Sequence, residues 1–140
     1  MGIDKNSKIN DIDQGTCNWI LVHLKKLRTY LENKSGQKLQ DIPDPKFLDK
    51  YFPGALADMQ VGQINEDDLI NMFGVGLGQY LEEKAGFQWV IHCSKDGNDL
   101  AVQHKGTQVI GFPLSSAAKR VDDQHAGNFD AIFHALTTWK

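Results

Sequence analysis

The run Phe87-Gln88-Trp89-Val90-Ile91-His92-Cys93 decides the fold, together with Asp99-Leu100-Ala101-Val102-Gln103-His104 and Thr107-Gln108-Val109-Ile110-Gly111-Phe112. In each, apolar and polar residues alternate, and β-branched or aromatic side chains dominate. That is the period-two signature of strands. Lys95-Asp96-Gly97-Asn98 and Lys105-Gly106 lie between them and carry turn residues. Asp-Gly supplies the positive-φ residue that a short hairpin needs. The run therefore predicts three antiparallel strands, 87–93, 99–104 and 107–112. Loops of four and two residues place Cys93 opposite Leu100, Ile91 opposite Val102, Trp89 opposite His104, and Val102 opposite Val109. One face then holds Trp89, Ile91, Cys93, Leu100, Val102 and Val109. The other is mixed, with Val90, His92, Ala101, Gln103, Ile110 and Phe112.

Upstream, the period becomes helical. Ile20, Leu24, Leu27 and Leu31 recur at spacings of four, three and four, a single stripe of a helix capped at Asp13 or Thr16 and ended by Ser35-Gly36. Asp44-Pro45 opens a short helix that Pro53-Gly54 is expected to stop. Asn65-Glu66-Asp67-Asp68 opens a longer one, since an Asn cap and first-turn acids suit the positive end of the helix dipole. Leu69, Phe73, Gly76, Leu77, Tyr80 and Leu81 form its apolar side, and Gly86 closes it. Downstream, one helix is expected from Ser115 or Ser116 through Val121, and a last one from Asn128 to Trp139. The class is α+β, with helices packed on a short three-stranded antiparallel meander and a helix at the C-terminus. The 140 residues are expected to form a single domain, with 1–13 a loose leader, 14–86 mainly helical, 87–113 sheet and 114–140 helical.

Composition bounds the role. Hydrophobic content of 41% and charged content of 24% are those of a globular chain. A net charge of −3, from 15 basic and 18 acidic residues, argues against a nucleic-acid binder. The densest basic run, Lys25-Lys26-Arg28, reads as a solvated helix face. No apolar stretch is long enough for a membrane span, and no secretion signal opens the sequence. A cytoplasmic setting with reduced Cys17 and Cys93 is expected.

Chemistry-bearing motifs are weak. Gly74-Val75-Gly76-Leu77-Gly78 resembles a phosphate loop, but such loops lie between a strand and a helix start. These glycines fall inside a helical pattern, where they allow close packing instead. Ser116-Ala117-Ala118-Lys119 matches Ser-x-x-Lys without the companion motifs that make it catalytic. His92, Cys93 and His104 form the compact set with metal-ligand chemistry. The register separates Cys93 from His104 by four residues, roughly 13 Å, and turns His92 to the opposite face. The sequence thus assigns no catalytic, cofactor or metal residue, and no cofactor. Candidates for a ligand or partner site are His92 and Gln103 on the mixed face, and His104 and Trp89 at the sheet end.

The second half resembles a bacterial family known as domain of unknown function 3806. The likeness rests on Gly76 and Gly78 before Tyr80-Leu81, on Phe87-Gln88-Trp89-Val90-Ile91, and on Asp96-Gly97-Asn98-Asp99-Leu100-Ala101-Val102. It continues through Gly111-Phe112-Pro113-Leu114, Lys119-Arg120 and the aromatic C-terminal helix, and covers about residues 62–138. It implies a small bacterial α+β domain and transfers no catalytic residue. The expected role is a non-enzymatic protein–protein interaction module, of which an immunity-type protein is one form, with a protein as its partner. The alternative is a small-molecule binder or enzyme with a pocket near His92, Gln103 or His104.

Overall fold

The computed structural model describes residues 8–123 and 128–138. The elements run β1 (Lys8–Asp11), α1 (Gln14–Ser35), α2 (Pro45–Gln60), α3 (Glu66–Ala85), β2 (Phe87–Ser94), β3 (Gly97–His104), β4 (Ile110–Gly111), α4 (Pro113–Asp122) and α5 (Phe129–Thr137). The fold is α+β, and its antiparallel sheet has four strands in the order β1-β2-β3-β4. The fourth comes from the stretch expected to be a loose leader. Lys8–Asp11 pairs with β2, setting Ile9 opposite His92 and Asp11 opposite Val90.

Local chemistry starts the first three helices and stops two of them. The carboxylates of Asp13 and Asp44 accept the N–H of Thr16 and Phe47, each at 2.8 Å, and Asn65 Oδ1 accepts that of Asp68 at 2.7 Å. Gly36 and Gly86, at φ of 72° and 78°, end α1 and α3. Pro53 does not stop α2, which runs on to Gln60. A proline inside a helix costs about 3 kcal/mol. Continuing the helix buries Ala55 and Leu56 in the core, and this burial helps to offset the cost. α4 begins at Pro113, earlier than the serines suggested, because proline suits the first helical position. Trp139, the expected end of the last helix, lies outside the described residues.

The sheet register differs from the expected one by two residues at both hairpins. β2 and β3 are joined by Lys95-Asp96 alone, so Trp89 lies opposite Val102, Ile91 opposite Leu100, and Phe87 opposite His104. Gly97, at φ 127°, closes that turn. Lys105–Val109 joins β3 to β4, and Gly111, not Val109, lies opposite Val102. His104 causes the longer loop, since its Nδ1 accepts the N–H of both Gly106 and Thr107 at 3.0 Å. A slip of two preserves every strand residue's face. Trp89, Ile91, Cys93, Leu100 and Val102 therefore share the helix-covered side, as their alternation predicts.

α3 organises the rest. A Cβ on Gly74 would lie 2.6 Å from Leu114 Cδ2 and 2.9 Å from Leu114 Cα, where α4 crosses. One on Gly76 would meet Leu27 of α1 at 2.5 Å, and one on Gly78 would enter the Trp89 ring of β2. The glycine run thus serves close packing on three sides. α5 is anchored differently: Asp49 of α2 accepts the N–H groups of Asn128, Phe129 and Asp130 at 2.8, 2.6 and 3.1 Å. This sets Phe129 against Phe52 and Phe73, with ring centroids 5.1 and 5.9 Å away.

Two glycine substitutions separate packing from propensity. Gly74→Ala should destabilise the fold by about 1–3 kcal/mol, because backbone as well as side chain of α4 blocks the methyl group. Gly54→Ala, in α2 with nothing within 4 Å of its new Cβ, should stabilise by up to about 1 kcal/mol. Urea denaturation of both checks this, and equal effects would show that α4 yields freely.

Candidate functional site

The four residues singled out in the sequence do not converge. Trp89 is 5% exposed. Its indole N–H donates to Gln79 Oε1 at 3.0 Å, and its ring fills the space left by Gly78, so it is a core anchor. His104 commits Nδ1 to the following turn and sets its ring edge-on to Phe87 at 5.1 Å. His92 and Gln103 do share the outer sheet face. Gln103 is opposite Gln88 and His92 opposite Asp99, four ladder positions or roughly 13 Å apart. Gln103 is bonded to Gln108 at 2.9 Å. The Phe112 ring stands edge-on to His92 at 5.5 Å. Between His92 and Gln103 on that face lie the paired Val90 and Ala101, both fully buried.

The observed register moves Cys93 opposite Asn98, six positions from His104, or roughly 20 Å. Cys93 Sγ accepts from Asn10 Nδ2 at 3.4 Å. Among the described residues, no group of three or more His, Cys, Asp or Glu lies close enough to hold a metal ion.

The exposed face of α1 stands out instead. Its 22 residues extend about 33 Å. Ile20, His23, Leu27 and Leu31 are buried beneath it, while Leu21 and Val22 on the outside are 57% and 51% exposed. Lys25, Lys26 and Arg28 follow within two turns. Lys26 Nζ lies 3.4 Å from Asp68 of α3, an exposed pair of small energetic weight. Arg28 donates to the Leu39 carbonyl at 3.2 Å. Lys25 makes no ion pair among the described residues. A cleft runs along each side of this ridge. One, about 360 Å³, lies between Leu21, Leu24 and Arg28 and the segment 40–43. The other, about 570 Å³, is bounded by Val22, Lys26, Tyr30 and Met72.

Ion pairs and hydrogen bonds fix the cleft walls. Lys84 bonds Asp41 at 2.9 Å, which together with the Ile42 N–H holds the Asp41 carboxyl below its ordinary value and raises Lys84 above its own. Tyr30 donates to Asp58 Oδ2 at 2.7 Å, and Lys34 pairs with the same oxygen at 2.9 Å, tying α1 to α2. Burial, and then the Asp58 carboxylate, push the Tyr30 phenol well above its ordinary 10.0. The Tyr30 and Lys34 donors lower Asp58 from its ordinary 3.8. Asp58 therefore contributes stability that is complete above pH 3.8 and is lost as pH falls through its lowered value. Tyr30 contributes stability that is complete below pH 10.0 and is lost as pH rises through its raised value. Tyrosinate absorbance of wild type minus Tyr30→Phe should accordingly show almost no Tyr30 ionisation at pH 10.0. A half-ionised signal there would mean that the phenol is not held by Asp58.

Alternation and helical spacing did not reveal this ridge. Leu21 and Val22 fall off the apolar stripe, and which side of a helix stays bare is decided by what packs against it. No curated protein matches the chain. A solved structure from Bacteroides thetaiotaomicron has the same fold, with a TM-score of 0.69 at 11% identity. The match covers 96% of this chain and 48% of that one, so the chain spans about half the length of that protein. The family model described as domain of unknown function (DUF3806) matches residues 55–133, which takes in α3, the hairpin β2–β3, α4 and the aromatic start of α5. The chain belongs to that family.

Proposed function

We propose that this domain is a non-enzymatic protein-binding module, and that α1 is its contact surface. The observation that carries this reading is the pairing of Leu21 and Val22, more than half exposed, with Lys25, Lys26 and Arg28 on one helix face. Exposed apolar side chains grouped with charges mark interaction sites more often than isolated ones do. The ridge suits a protein segment that places apolar side chains on Leu21 and Val22 and a carboxylate on Lys25. The setting proposed is the bacterial cytoplasm, with a partner-neutralising role of the immunity type. No helix among the described residues is long and apolar enough to cross a membrane, which is compatible with that setting.

Small-ligand binding is the second reading. The cleft of about 360 Å³ beside Leu24 and Arg28 favours it, since that volume is within the range of small-molecule sites. This moves the pocket of that reading away from His92, Gln103 and His104.

Replacing Leu21 and Val22 together by Ser separates the two. The double variant should keep its thermal stability, because neither side chain is in the core. It should lose about tenfold or more of the affinity for a protein partner recovered with the wild type. Undiminished partner binding would remove α1 from the function.

A further inference from the structure

Resting on that reading of α1, we infer that the protein bound there is a second copy of this chain, arranged as a two-fold dimer. α1 does not form this face alone. The salt bridges Lys26–Asp68 and Lys34–Asp58 lay the segment 58–68 alongside it. That segment carries Val61, at 71% the most exposed large apolar residue described, and the exposed acids Glu66 and Asp67 in the first turn of α3. Neither acid makes an ion pair among the described residues. Two strips therefore run side by side. One is apolar and basic, with Val22, Lys25 and Lys26; the other is apolar and acidic, with Val61, Glu66 and Asp67.

A uniformly acidic partner would match the first strip and be repelled by the second. A two-fold axis between the strips avoids this conflict. It places Lys25 and Lys26 of each copy on Glu66 and Asp67 of the other, and Val22 of each on Val61 of the other. An isologous contact must be self-complementary in this way, and opposed charges across it fix register and exclude wrong partners.

Sedimentation of the full chain from micromolar to submillimolar concentration tests the inference. Wild type should shift with concentration toward twice its 15.7 kDa mass. Lys25→Glu with Lys26→Glu, and separately Glu66→Lys with Asp67→Lys, should each weaken self-association about tenfold or more. An equimolar mixture of the two variants should restore the dimer, because each reversed strip then meets its opposite. Circular dichroism melting establishes that the variants fold. Lys25→Glu and Glu66→Lys alone serve if a double variant does not, since neither residue holds a bridge within the chain. A wild type that stays monomeric overturns the inference, as does a dimer indifferent to the reversals or a mixture that fails to re-form it. A monomer whose foreign partner is lost in the Leu21 and Val22 double variant leaves the binding reading standing. A monomer whose partner binding ignores that variant ends both.

Discussion

The structure depends on how closely its neighbours approach α3. A helix with ordinary side chains keeps others 8–10 Å away. Gly74, Gly76 and Gly78 remove that spacing on three sides in succession, admitting Leu114 of α4, Leu27 of α1 and the Trp89 ring of β2. Each glycine costs about 1 kcal/mol in helix propensity relative to alanine. The cost is offset because one helix becomes the common floor of the helical layer and the sheet. Trp89 shows how tightly these contacts are coupled. Its ring needs the absent Cβ of Gly78, and its N–H needs the side-chain Oε1 of Gln79 one residue further on.

The second constraint is a carboxylate that crosses between elements. α5 has no capping side chain of its own, and Asp49 of α2 accepts the N–H of the cap residue Asn128 and of the first two helical residues, Phe129 and Asp130. The docking of Phe129 between Phe52 and Phe73 is thus tied to the position of α2. Disturbing α2 therefore reaches α5 through both the aromatic cluster and the cap.

What was legible in the sequence is what local chemistry decides. Asp13, Asp44 and Asn65 announce helix starts and Gly36 and Gly86 announce ends, because caps act over three or four residues. Face assignment in the sheet was legible as well, since alternation survives a slip of two. Hairpin lengths were not, because the His104 ring holds its loop through side-chain acceptance that no spacing encodes. Continuation past Pro53 was hidden for a different reason: the burial of Ala55 and Leu56 against distant elements overrides a local penalty. The family resemblance covers 62–138, and the family model begins at Ala55, within the part of α2 that continues past Pro53. The binding ridge was legible in half. Lys25, Lys26 and Arg28 are plain in the sequence, but the exposure of Leu21 and Val22 follows only from the side of α1 that α3 covers.

The first strand has a kinetic side. Lys8–Asp11 pairs with residues 90–93, so its hydrogen bonds close a loop of about eighty residues, and closure entropy rises with loop length. With Ile9 its sole apolar side chain, β1 brings little burial to repay that ordering and is suited to join the sheet late. Until it does, β2 presents an unpaired edge with Val90 and Ile91 in it. Bare edges of that kind template pairing with other chains. Four mostly polar residues thus act as a guard on the sheet, covering a β2 edge that would otherwise stay open to other chains.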